Sequence, residues 1–122
     1  MRVLLSIKPK YAEMILSGEK RYEFRRMIFR NPDVKKILIY ASSPVSKVIG
    51  EFEIDNILSF DLAKLWSYTM EHAGIDKEYY DSYFFGKDIG HAIKVKKVKR
   101  YPKHKELNDF NVKRAPQSFA YI

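Results

Sequence analysis

The spacing of apolar residues changes at Gly18, and that change limits what the start of the chain can form. Upstream, Val3, Leu4, Leu5 and Ile7 make a strand-like run over Arg2 to Ile7. Pro9 then suits the first turn of a helix, and Tyr11, Ala12, Ile15 and Leu16 recur at helical spacing. Gly18 stands where a left-handed cap ends such a helix, with Ser17 to Glu19 as the turn. Downstream the period is two. From Arg21 to Arg26, Tyr22 and Phe24 take one face of a strand, and Arg21, Glu23 and Arg25 take the other.

Beyond a loop through Asn31, Pro32 and Asp33, Ile37 to Tyr40 reads as a buried strand. Ser42, Ser43 and Pro44 interrupt it before Val48 to Ile57 resumes, so the two runs are expected to pair. Asp61 to His72 and Asp76 to Phe85 are helical by period, with Asp61 and Asp76 as N-caps and Leu62, Leu65, Trp66, Tyr79, Tyr80 and Tyr83 facing inward. Gly86 and Gly90 lead into a strand from Ala92 to Tyr101, whose alternation changes phase and implies a bulge near Lys96 and Lys97. Ser118 to Ile122 is a last strand. Strands around one early helix and one helical excursion, without β-α-β alternation, argue for a small mixed α+β barrel in a single domain over residues 1–122.

Charge is unevenly spread. Residues 1–36 hold ten Lys/Arg and four acids, residues 91–105 seven Lys/Arg and no acid, and residues 58–90 three Lys/Arg and six acids. A clustered basic surface attracts polyanions, whereas the acidic helical segment 61–85 offers a face for a protein partner. The absence of cysteine excludes a disulfide framework, thiol catalysis and the common zinc-finger patterns. His72, His91 and His104 fit no metal-ligand spacing, so neither metal nor cofactor is expected. No apolar run reaches the roughly 18 residues of a membrane span, and the apolar stretch before Lys8 and Pro9 is too short for a secretory leader. A soluble cytoplasmic protein is the expectation.

Lys20, Glu23 and Arg25 lie within six residues, where their heads can converge. Lys20 offers a point cation, Arg25 a planar fork for phosphate or carboxylate, and Glu23 an acceptor for base amino groups or a proton carrier. The same spacing also describes an ordinary surface row of ion pairs. If the heads open into one cleft, Lys20→Ala is expected to remove ligand binding with little change in stability, as for an exposed residue. The strand bearing Lys94, Lys96, Lys97, Lys99 and Arg100 could track a phosphate backbone, or could guard a sheet edge against aggregation. Tyr79, Tyr80, Tyr83, Phe84 and Phe85, at helical spacing, are assigned to the core in preference to a base-stacking platform.

The pattern of Gly18, Lys20, Glu23 and Arg25, preceded by S-I-K-P-x-Y-A-x-x-I-L-S at Ser6 to Ser17, resembles the ASCH domain family of the PUA-like superfamily. Tyr40 to Pro44 with Val48, Ile49 and Gly50, the run Tyr83 to Gly86, and Ala115 to Phe119 extend the resemblance over most of the chain. It implies a PUA-like β-barrel whose cleft lies beside the first helix, and a role linked to RNA or nucleotide derivatives. The ligand-binding residues it implies are Gly18, Lys20, Glu23 and Arg25, with Ser6, Lys8, Gln117 and Ser118 as further cleft wall.

The leading expectation is a module that binds RNA or a nucleotide and serves RNA metabolism or the regulation of translation or transcription. The alternative is a small hydrolase, either a ribonuclease or an amidohydrolase on modified nucleosides, using Lys20 and Glu23. Family members that hydrolyse acylated cytidine carry a threonine at the position of Glu23, so activity on that substrate is expected to be weak or absent. In the binding reading Lys20 and Arg25 hold Glu23 ionised and Glu23 keeps Lys20 protonated. In the hydrolase reading Arg21 and Arg25 lower the Lys20 pKa so that it activates water or the substrate, and Glu23 shuttles the proton.

Overall fold

A computed structural model describes residues Met1–Ile122 as one curled, six-stranded half-barrel sheet with three short helices. In chain order these are β1 (Arg2–Ile7), α1 (Pro9–Ser17), β2 (Tyr22–Arg25), β3 (Lys36–Ala41), β4 (Lys47–Asp61), α2 (Leu62–Thr69), α3 (Lys77–Tyr83), β5 (Ile89–Lys105) and β6 (Phe119–Tyr121). The strand order is β2-β5-β4-β3-β1-β6. This is the mixed α+β, PUA-like architecture expected from the sequence.

β1 and β3 are short apolar runs because both of their faces are covered. Val3, Leu5, Ile37 and Ile39 pack with Ala12, Ile15 and Leu16 of α1, while Leu4 and Leu38 join Val48 and Tyr101 under the segment containing Leu107, Phe110 and Val112. The two strands are parallel, Leu4 lying beside Leu38, with α1 and β2 inside the connection. That connection corrects the expectation of no β-α-β arrangement: strand pairing over a long separation leaves no mark in local periodicity.

β4 and β5 are longer than expected and form the main antiparallel ladder. Glu53 pairs with Lys97 but Ile54 with Val95, so Lys96 is the extra residue of a bulge, as the phase change implied. Asp55 is skipped in the same way on β4, and such insertions sharpen the local twist that curls the sheet. Asp61 and Asp76 cap their helices, accepting from the backbone N–H groups of Lys64 and Tyr79 at 2.9 and 2.7 Å. The excursion packs Leu65, Tyr80 and Phe84 against Tyr22, Phe24 and Ala92 of the β2/β5 end, and leaves Tyr68, Met70 and Phe85 exposed. No helix is long and apolar enough to cross a membrane.

Candidate functional site

A cavity of about 220 Å³ opens where β1, α1, β2 and α3 meet. α1 ends at Gly18, whose φ of +89° suits glycine, and the chain turns so that Lys20 and then β2 enter the space between helix and excursion. Lys20, Glu23 and Arg25 all line the cavity and are 3%, 6% and 9% exposed. This burial overturns the picture of exposed heads. It arises because residues 73–83, far along the chain, fold over the strand that local periodicity marked as half charged.

Lys20 is held by two features of the excursion. Its Nζ donates to the carbonyl oxygen of Ala73 at 2.6 Å, and its stem lies against Gly74. A Cβ at Gly74 would stand 2.6 Å from Lys20 Cγ, and the φ of +70° there independently favours glycine. The ammonium also sits 4.8 Å from the centroid of the Phe24 ring and 5.5 Å from that of Tyr11. Loss of water lowers the Lys20 pKa to about 8, more than the charge of Glu23 raises it. Burial likewise pushes Glu23 above the usual carboxylate range, against the opposing pull of Arg25 and Lys20. Both directions run against the two firmly ionised partners of the binding reading, and the lowered Lys20 pKa of the hydrolase reading arises from burial and not from neighbouring arginines.

Arg25 is occupied by the protein itself. Nη1 donates to Glu23 Oε2 at 3.2 Å and to the carbonyl of Ser6 at 3.3 Å, and Nη2 donates to the carbonyl and hydroxyl oxygens of Ser118 at 2.9 and 3.2 Å. The fork, expected to take phosphate or carboxylate, thus ties β1 to the segment before β6 while lining the cavity. Ser6 adds to that tie by donating to the carbonyl of Pro116 at 2.7 Å. Glu23 Oε1 has no protein donor, and no side-chain polar atom is both fully buried and unpartnered, so this oxygen is open to the cavity.

Of the other predicted residues, Ser6, Lys8 and Gln117 line the cavity, whereas Gly18 shapes the turn and Ser118 lies behind Arg25. None of Lys94, Lys96, Lys97, Lys99 and Arg100 lines it. Lys94 pairs with Asp55 at 3.5 Å and Arg100 with Glu13 at 2.8 Å, and Glu53 and Glu51 lie across the ladder from Lys97 and Lys99. No three His, Asp or Glu side chains come together as a metal-ligand group.

The residues that sequence reasoning missed are aromatic. Tyr11, Tyr79 and Tyr83 line the cavity, with Tyr79 and Tyr83 stacked at 6.4 Å and 9° and Tyr11 tilted against Tyr79 at 5.4 Å. Tyr80 and Phe84 are core as expected, while Phe85 is 81% exposed. The i, i+4 spacing of Tyr79 and Tyr83 was the available clue, but it serves a core face and a cavity wall equally.

A model of the ASCH domain matches residues 5–114. Over 121 residues the chain is 31% identical to large ribosomal subunit protein uL22 of Ureaplasma parvum, covering 98% of this chain and 39% of that protein. Over 90 residues it is 36% identical to an ASCH domain-containing ribonuclease of Zymomonas mobilis, covering 74% of this chain and 61% of that protein. The chain thus spans less than two thirds of the length of either relative. The crystal structure of ASCH from Zymomonas mobilis superposes with a TM-score of 0.88 at 30% identity, covering 99% of this chain and 87% of that one.

Proposed function

Since the chain belongs to the ASCH domain family, we propose that it acts on RNA and that the cavity receives one unpaired nucleotide. The observation that carries this reading is the company of groups on one small cavity: a tyrosine wall, a buried ammonium and a carboxylate oxygen with no protein partner. Aromatic faces stack bases, ammonium groups donate to base carbonyls, and a carboxylate accepts from exocyclic amino groups. At about 220 Å³ the space is smaller than the ~300–1,000 Å³ of pockets for drug-sized ligands, which suits a single base. A base within a duplex cannot reach such a site, so the ligand is single-stranded or a free nucleotide. The test is calorimetric titration with nucleoside monophosphates and short single-stranded RNA. Binding is expected in the wild type and at least tenfold weaker in Glu23→Gln; equal affinities would remove the base-reading role of Glu23.

A second reading, hydrolysis of RNA, is favoured by one specific observation. Burial lowers the Lys20 pKa to about 8 and raises that of Glu23 above its usual range, and both line the same cavity, which suits the pair to proton transfer. The ribonuclease name of the Zymomonas mobilis relative supports asking the question. Cleavage of single-stranded RNA that is lost in both Lys20→Met and Glu23→Gln would establish turnover. Binding with no cleavage would leave the module reading alone.

A further inference from the structure

Three depressions share walls. The cavity has Arg25, Tyr83 and Gln117 in common with a second hollow of about 380 Å³, to which Arg26, Met27 and Lys87 are added. That hollow shares Arg26 and Met27 with a third of about 500 Å³, whose wall includes Arg30, His91, Phe119 and Tyr121. Neither of the two outer hollows has a carboxylate in its wall.

We propose that an RNA strand with one nucleotide in the cavity runs outward over Arg26 and Lys87 toward Arg30, and lays a flanking base against Tyr121. The proposal rests on the reading of the cavity as a nucleotide site and adds the path of the strand. Three observations support it. None of Arg26, Lys87 and Arg30 has an ion pair, whereas on β5 Lys94 and Arg100 are paired and Lys97 and Lys99 have glutamates opposite. A polyanion at the hollows therefore meets cations with no carboxylate in the wall, whereas from Lys94 to Arg100 on β5 the positive charge is partly offset by Asp55, Glu13, Glu51 and Glu53. Arg26 is also held in place, since its Nη1 donates to the carbonyls of Tyr83 at 3.0 Å and Phe85 at 3.2 Å, leaving its other donors for phosphate. At the far end Tyr121 is 46% exposed and Met27 62% exposed. The Tyr121 hydroxyl accepts from the backbone N–H groups of Arg30 and Asn31, both at 3.3 Å, and its ring meets Phe119 at 5.6 Å and 79°. Exposed apolar surface braced in this way offers a base a stacking face at low entropic cost.

The test compares the four nucleoside monophosphates with a mixed-sequence single-stranded hexaribonucleotide, by calorimetry at several salt concentrations. Two charge-reversal variants are used, Arg30→Glu with Lys87→Glu, and Lys96→Glu with Lys97→Glu and Lys99→Glu. All five residues are exposed, and circular dichroism melts check that each variant folds. The first variant should keep mononucleotide affinity within about twofold and lose hexamer affinity at least tenfold. Its salt slope should flatten by about 1.4, at ~0.7 for each of two phosphates. The second variant should bind the hexamer as the wild type does. Hexamer binding that survives the first reversal, or falls equally in the second, overturns the path while leaving the cavity reading intact. Failure of the wild type to bind either probe defeats the cavity reading and the path with it.

Discussion

Replacing Lys20 by Met should change how stability depends on pH, and the size follows from burial. The lysine lies at 3% exposure, and its pKa falls from 10.5 in the open chain to about 8 in the fold. Between those values the unfolded chain holds the proton more firmly than the folded one, so stability rises with pH across the interval. At ~1.4 kcal/mol per pH unit the full difference is about 3 kcal/mol, present as destabilisation below pH 8 and gone above pH 10.5. Between pH 7 and 9.5 about 2 kcal/mol of this should be recovered. The assay is urea unfolding of wild type and Lys20→Met at both pH values, read as the difference between the two proteins. Burial also raises the Tyr80 pKa to about 12, which lowers stability in alkali, but both proteins carry Tyr80 and the comparison cancels it. Repeating the pair in a Glu23→Gln background should enlarge the effect, because Glu23 is the group that holds the Lys20 pKa up. A difference that stays flat from pH 7 to 9.5 would refute the claim that Lys20 is held out of water.

Gly74→Ala should cost about 1–2 kcal/mol for the positive φ alone, and more as the new methyl displaces the Lys20 stem 2.6 Å away. Thermal melts measure the loss, and a ligand affinity that falls with it would show that Gly74 positions Lys20. Arg25→Lys should free the segment before β6, since a single ammonium cannot span the carbonyls of Ser6 and Ser118 as the fork does. Faster amide exchange in β6, with β3 unchanged, is the expected pattern. With N-acylated cytidines the protein should release little or no deacylated product by chromatography, because Glu23 supplies no hydroxyl nucleophile; robust turnover would contradict that inference.

Features that depend on neighbours along the chain were legible in the sequence. Pro9, the spacing from Tyr11 to Leu16 and Gly18 define α1, Asp61 and Asp76 cap α2 and α3, and the phase change after Val95 marks the bulge at Lys96. Features set by distant segments were not. Alternation in β2 separates Glu23 and Arg25 from Tyr22 and Phe24, yet it cannot tell a charged face in water from one roofed by the excursion. The carbonyl that receives Lys20 belongs to Ala73, fifty-three residues away, and the oxygens that occupy Arg25 belong to Ser118, ninety-three residues away. For that reason the polar wall of Ser6, Lys8, Lys20, Glu23, Arg25 and Gln117 could be read in advance, while the tyrosine wall and the burial of Lys20, Glu23 and Arg25 could not.

The most direct test of the central claim is a crystal structure of the protein with a short single-stranded RNA. The account predicts one base inside the cavity, against the ring of Tyr79 or Tyr83, with an exocyclic amino group within hydrogen-bond distance of Glu23 Oε1. RNA bound instead along the exposed lysines of β5, with the cavity holding only solvent, would contradict it.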